Sequence, residues 1–413
     1  MGADRNHPQV LIARQLITPN EIIYDAAVVV ENQKITAVGR KDEVNFPEMS
    51  VFSDFGTKII APGLIDVHIH GFEGVEAGKK TSDALHIAKA IARHGTTSFL
   101  PTVSFAPTLD EILHMLEATA QAVSAESDGA RILGIHLEAP FLSKVGIGPW
   151  DRYPPAGFLA GTMAREPSIE ELRLMAQAAG GHIKIMSIAP ELEGALGVIE
   201  EMVRLGIVPS AAHTAASYEQ VVAGIEAGLK SATHLYNGMR RQDHREPGVI
   251  EAVLSKDELM AEIIGDCVHV HPPAIDIAIR CKGTDRIVLV TDNTRYAGMP
   301  NGLYKDDMGR DIVKDDEKAY VPGWTLAGSV SPLNHNVHNM IARVGHSLPE
   351  AIKMASLTPA RLLGVADRKG SLEVGKDADL IVIDDRINVY ATMVHGNWVY
   401  DAGEIEPHRK DTE

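Results

Sequence analysis

Residues 59–103 read IIAPGLIDVHIHGFEGVEAGKKTSDALHIAKAIARHGTTSFLPTV. The stretch opens on an apolar, β-branched run at 59–70 and closes on a second one at 96–103. Between them the apolar spacing switches to i, i+3, i+4, i+7 at Ala84, Ile87, Ala88 and Ile91. That order predicts a strand, a helix burying one face, and another strand. Further candidate strands fall at 132–137, 183–188, 208–212, 231–234, 260–264 and 287–291, which makes eight. The helical spacing returns between them, at Leu109, Ile112, Leu113 and Leu116, and at Tyr218, Val221, Val222 and Ile225. Three helix starts carry a capping-box pair: Thr108 with Glu111, Ser168 with Glu171, and Ser217 with Gln220. In each, the side chains can satisfy amides left unpaired at the helix entry. Eight strands alternating with helices over residues 58–365 predict an α/β fold, a closed (β/α)8 TIM-type barrel rather than an open sheet.

The two ends have a different texture. Apolar, β-branched runs at 10–17, 22–31 and 34–38 are broken by Pro19-Asn20 and Asn32-Gln33, with no helical period. Residues 370–405 resemble them: 379–384 is an apolar strand between charges, and 393–400 goes with the turn at His395-Gly396-Asn397. Residues 1–57 and 366–413 are therefore expected to meet as one small β-sandwich domain beside the barrel. Residues 301–323, rich in Gly, Asp and Lys, read as an excursion near the barrel rim.

Bulk composition narrows the function. No run approaches the ~20 apolar residues of a membrane helix, and no early stretch joins a basic start to an apolar run, so a cytoplasmic protein is expected. The two cysteines, Cys267 and Cys281, are too few for a disulfide framework and read as apolar filler in a reducing compartment. With 56 acidic against 39 basic residues the chain carries −17, which argues against nucleic acid or an anionic membrane as partner. An anionic small molecule would need a local basic pocket.

Polar residues of one chemical kind collect at the predicted strand ends. The first strand ends in Asp66-Val-His68-Ile-His70, where alternation puts both histidines on one face. The third ends in His136-Leu-Glu138, the fifth in His213, the sixth in His234 and the eighth in Thr291-Asp292. A barrel gathers the carboxyl ends of its strands at one mouth, where such folds keep their active sites. A lone histidine in an apolar run is ordinarily a hydrogen-bonded core residue. Six ligand-type residues at five strand ends, His68, His70, Glu138, His213, His234 and Asp292, are costly to bury without a partner, and point to a metal site. Imidazole and carboxylate without thiolate suit Zn²⁺, Fe²⁺, Mn²⁺ or Co²⁺ and do not choose among them.

Seven segments together resemble the N-acetylglucosamine-6-phosphate deacetylases of the amidohydrolase superfamily. They are Ala61-Pro-Gly-Leu-Ile-Asp66-Val-His68-Ile-His70-Gly71, His136-Leu-Glu138-Ala-Pro140, His234-Leu-Tyr-Asn237-Gly-Met239, Arg245-Glu-Pro-Gly248, Leu289-Val-Thr-Asp292, Leu326-Ala-Gly-Ser329 and Ala355-Ser-Leu-Thr-Pro359-Ala. The likeness runs in order over nearly the whole chain, through Gly370-Ser-Leu-Glu-Val-Gly-Lys-Asp-Ala-Asp-Leu. It implies a barrel with a terminal β-sandwich, usually a homodimer, acting on a phosphorylated amino sugar. It also implies that Glu138, His213 and His234 hold the principal divalent ion and that His68 and His70 can hold a second, so one or two per subunit. Asp292 then serves as catalytic acid and base, its alternatives being a further metal ligand or a helix N-cap.

For the 6-phosphate the resemblance supplies Arg245, His269 and the backbone amides around Asn237 and Gly238, some of them reaching across the dimer. Arginine presents a planar fork that matches phosphate oxygens. His271 competes with His269, being two residues on and on the same face if extended. Three departures stand out: Ala139 where the family has Gly, Asn293 where it has Ala, and Trp150, within Lys144-Val-Gly-Ile-Gly-Pro-Trp150-Asp-Arg152, about where it has a sugar-contacting histidine. They leave open another N-acetylated sugar phosphate, a cyclic amide or an N-acyl amino acid as substrate. A non-catalytic scaffold is the remaining alternative, and the six filled positions speak against it.

Overall fold

The computed structural model describes residues 7–19, 21–104, 106–143, 163–323, 325–403 and 408–409. Eight strands run parallel in chain order: Leu64–Ile69, Thr96–Val103, Ile135–Leu137, Ile183–Ile188, Val208–Ala211, Ser231–Ala232, Met260–Ile264 and Ile287–Val290. The ring is nearly closed between last and first. There the Asp292 N–H donates to the His68 carbonyl at 2.9 Å, and Ile69 and Asn293 form a parallel bridge. Thr96–Val103 is buried at every residue, because a barrel strand has side chains inside and helices outside.

Both chain ends build a second, largely antiparallel sheet, ordered Asn397–Asp401, Val389–Val394, Leu380–Ile383, Ile59–Pro62, Gln9–Ile17, Ile22–Glu31 and Lys34–Arg40. Gln9–Ile17 pairs Val51–Asp54 with its first half and Ile59–Pro62 with its second, so the sheet branches there. Both of its faces are covered: Ala26, Val28 and Val30 pack with Leu11 and Ile35, while Val29 packs with Val10 and Phe52.

The expected strand at 59–70 is two strands in two sheets. The handover falls at Gly63, whose N–H bonds the Asp379 carbonyl of the terminal sheet at 3.0 Å, while the Leu64 N–H bonds Gly95 of the barrel at 3.0 Å. A Cβ at Gly63 would stand 2.2 Å from Thr97 Oγ1, so only glycine lets the sheets approach this closely. The expected strand at 132–137 also divides, at Leu133 and Gly134. The turn at His395 and Gly396, both at positive φ, splits 393–400 into the arms of a hairpin.

Two of the three expected capping boxes form in full, at Thr108 with Glu111 and Ser217 with Gln220. The third is half made: Ser168 accepts the Glu171 N–H, but Glu171 turns its carboxylate to Arg165. The excursion at 301–323 is a three-stranded antiparallel sheet of Gly302–Lys305, Asp311–Lys314 and Ala319–Tyr320. It is tied to the barrel mouth by Asp307, which pairs with Lys79 at 2.5 Å and Arg295 at 2.7 Å. Among the described residues no helix is long and apolar enough to cross a membrane. Cys267 is buried and Cys281 exposed, and neither is in a disulfide.

Candidate active site

His213, His234 and Asp292 each stand just past a strand end with φ of 41°, 35° and 51°. Left-handed backbone at a residue other than glycine costs of order 1–3 kcal/mol and persists where surrounding structure holds it, typically at functional sites. Here three such residues meet at one mouth. Glu138 follows Ile135–Leu137 directly, and His68 and His70 alternate at the end of Leu64–Ile69.

The six side chains converge in two groups joined by one carboxylate. Glu138 Oε1 lies 3.1 Å from His213 Nε2 and 2.8 Å from His234 Nε2, and those two nitrogens are 3.2 Å apart. Glu138 Oε2 lies 3.1 Å from His70 Nε2, itself 3.1 Å from His68 Nε2. Asp292 Oδ1 faces this second pair, at 3.2 Å from His70 and 3.4 Å from His68. A pair of ring nitrogens so close can share at most one proton. Ligands of a single tetrahedral zinc, each ~2.0–2.1 Å from the ion, stand roughly 3.3 Å from one another, so the donor set fits divalent ions. Asp292 belongs to the His68–His70 side rather than standing at equal distance from all four partners.

The electrostatics match that fit. Burial alone would raise Glu138, yet the charge on His68 and hydrogen bonds from His213 and His234 hold its carboxylate well below the usual range. Asp292 is lowered against its own burial by the charge of His68 and the hydrogen bond from His70. Conversely, burial pulls the histidines down, but Asp292 and Glu138 keep His68 well above its ordinary value and His70 up to about 9. The site therefore selects positive charge, which a divalent ion supplies by displacing protons.

An open cavity of about 940 Å³ rises from this floor, with His70, Glu138, His213, His234, Asn237 and Asp292 among its lining. Gly238 is at φ +60°, and a Cβ there would stand 2.6 Å from His213 Nδ1. Gly238→Ala is accordingly expected to push the His213 ring off its aim, weakening ion binding and kcat/KM by roughly 10–100-fold, as second-sphere changes do. Metal analysis beside initial rates checks this. The Asn237 backbone N–H is spent inside its own turn, on the His234 carbonyl at 2.9 Å. Its side-chain Nδ2 donates into the same turn, to the His234 carbonyl at 3.3 Å and the Leu235 carbonyl at 3.5 Å.

His269 is largely buried and bonds Asp266 Oδ2 through Nδ1 at 2.6 Å. Burial lowers it, but Asp266 and the more distant charge of Asp292 raise its pKa overall. His271, by contrast, is exposed and stands at the N-cap position of the helix Pro272–Lys282, without a side-chain cap hydrogen bond. Arg245 sits on an exposed loop, its N–H held by Asp243, and does not line the cavity. Asn293 accepts the His70 and Gly71 N–H groups on its carbonyl at 2.8 and 3.0 Å, latching the first barrel strand to the last. The segment with Trp150, 144–152, lies outside the described residues.

Sequence reasoning missed Glu262 and Glu191. Glu191 receives the Thr214 hydroxyl at 2.5 Å and the Ala215 N–H at 2.6 Å, bracing the turn after His213. Glu262 is buried against His68. Its one signal was a glutamate inside an otherwise apolar strand, Met-Ala-Glu262-Ile-Ile.

A parallel barrel with a buried nitrogen and oxygen donor set at the mouth of its strands has the architecture of a metal-dependent hydrolase. The amidohydrolase family pattern matches residues 59–399, and the chain belongs to that family. Its relatives narrow the class. The N-acetylglucosamine-6-phosphate deacetylase of Vibrio furnissii is 35% identical over 405 residues, covering 96% of each chain. The N-acetylgalactosamine-6-phosphate deacetylase of Escherichia coli O157:H7 is 34% identical over 388 residues, 94% of this chain and 98% of its own. A solved N-acetyl-D-glucosamine-6-phosphate deacetylase from Mycobacterium smegmatis, in complex with N-acetyl-D-glucosamine-6-phosphate, superposes with TM-score 0.85 at 30% identity, over 95% of this chain and 100% of that one.

Proposed function

We propose that the protein hydrolyses the acetamide of N-acetylglucosamine-6-phosphate, giving acetate and glucosamine-6-phosphate. The observation that carries this reading is the bridging carboxylate of Glu138 on the cavity floor, with one histidine pair on each oxygen and Asp292 beside the second pair. A divalent ion held there polarises an amide carbonyl and lowers the pKa of a water from 15.7 to roughly 7. We assign Glu138, His213 and His234 to one ion and His68 and His70 to a second, with Zn²⁺, Fe²⁺, Mn²⁺ and Co²⁺ all suited to the donors. Asp292 is the acid and base: its Oδ1 takes the proton of the attacking water and delivers it to the departing nitrogen, which would otherwise leave as an unstable anion.

The phosphate is assigned to Asn237, Gly238, His269 and Arg245. Because Arg245 lies outside the cavity of its own subunit, we infer that it serves the cavity of a neighbour in a cytoplasmic homodimer. Arg245→Ala is expected to raise KM for the phosphorylated sugar by about tenfold or more, the worth of a charge-assisted hydrogen bond of roughly 1.5–3 kcal/mol. KM for unphosphorylated N-acetylglucosamine should barely move. Equal effects on both sugars would remove Arg245 from phosphate binding.

The reaction itself is tested by acetate release from N-acetylglucosamine-6-phosphate, measured beside the galactosamine epimer, cyclic amides and N-acyl amino acids. Turnover confined to a cyclic amide or an N-acyl amino acid would overturn the reading. A specific observation favours the epimer as a second reading: the relative acting on N-acetylgalactosamine-6-phosphate is as similar as those acting on the gluco sugar.

A further inference from the structure

Glu262 lies in the middle of Met260–Ile264, wholly buried, on the strand after the one that delivers His234. Its Oε2 accepts from His68 Nδ1 at 3.0 Å and from the His234 backbone N–H at 3.4 Å, while its Oε1 has no hydrogen-bond partner among the described residues. A buried carboxylate with one oxygen unpaired is expensive to keep. What it does in return is geometric. By accepting the Nδ1–H of His68 it fixes the tautomer in which Nε2 carries a lone pair, and that nitrogen faces His70, Glu138 and Asp292. His136 packs its ring 4.6 Å from His68 and spends its own nitrogens on the Val67 carbonyl and Ser187, so it does not compete for the Nδ1 proton.

We propose that Glu262 is the positioning residue of the second half-site, and that its hydrogen bond to His68 decides whether the chain holds two divalent ions or one. This rests on the two-ion reading of the site above. The Glu262 carboxylate bonds the ring of His68 from outside the donor set, so the effect falls on the His68–His70 side. On the His213–His234 side the Glu262 carboxylate meets the His234 backbone N–H, at 3.4 Å.

The test is a Zn²⁺ titration of the metal-stripped full-length protein, counting tightly held ions per subunit and their affinities by chelator competition. Wild type is expected to hold two. Glu262→Leu should weaken one ion by 10–100-fold and leave the other within about threefold, with Glu262→Gln falling between because its amide oxygen can still accept from Nδ1. A merely structural role would weaken both ions together, and that result, or two unchanged ions in Glu262→Leu, overturns the proposal. A wild type that binds only one ion overturns it too, through the two-ion reading, and is told apart because it appears before any substitution. Should Glu262→Leu fail to fold, the intermediate affinity of Glu262→Gln for the weaker ion alone carries the same decision.

Discussion

Asp292→Asn is expected to keep its ions and lose about three orders of magnitude in kcat. The amide has nearly the shape of the carboxylate and one oxygen to set near His70 and His68, 3.2 and 3.4 Å away, so the half-site retains its packing. What disappears is the ability to accept a proton and return it. A positioned acid–base group contributes ~10²–10⁴-fold, and here one residue is asked to act in both directions. KM should change little, because the groups proposed to bind the phosphate are untouched. Steady-state rates with metal analysis of the same sample decide the matter. A kcat near that of wild type would rule Asp292 out as the proton carrier, and loss of an ion with the activity would make it a ligand instead.

Glu138→Gln should be more damaging, and in a different way. Its two carboxylate oxygens divide the site, one toward His213 and His234 and the other toward His70. An amide offers one acceptor and one donor, so it cannot serve both groups, and its NH2 would face histidine nitrogens that need an acceptor or a cation. Both ions are expected to be lost at micromolar metal, with activity falling by at least about 10³-fold in line with removal of the activated water. The readout independent of turnover is thermal: metal raises the melting temperature of wild type because it binds only the folded state, and Glu138→Gln should show no such rise. A variant that still gained stability with zinc would mean that Glu138 is not shared by both groups. Glu262→Leu, weakening one ion, and Glu138→Gln, losing both, thus form a graded pair.

Local periodicity was enough to read the alternating barrel and the two β-rich ends and to set the ligand-type residues at strand ends, while their separate roles were implied by the family resemblance. Whether a side chain sits on a strand face or at a strand end depends on its own neighbours within a few residues, so His68, His70, Glu138, His213, His234 and Asp292 were all placed by pattern. Sheet membership is not local in this sense. The apolar run at 59–70 is continuous in composition, and only the approach of Thr97 to Gly63 and the Asp379 carbonyl on the Gly63 N–H reveal that it crosses from one sheet to the other. The Ser168 box was half unmade for a local reason, since Arg165, six residues before Glu171, offers it a charged partner in place of a backbone amide.

Tertiary structure alone decided how the donors are shared. That each Glu138 oxygen has its own histidines, that Asp292 sides with His68 and His70, and that Glu262 reaches His68 across 194 residues of chain are matters of distance in space. So is the position of Arg245 outside its own cavity. Strand alternation sets which way a side chain points. What it then meets is set by barrel closure, which brings together residues that no short-range pattern relates.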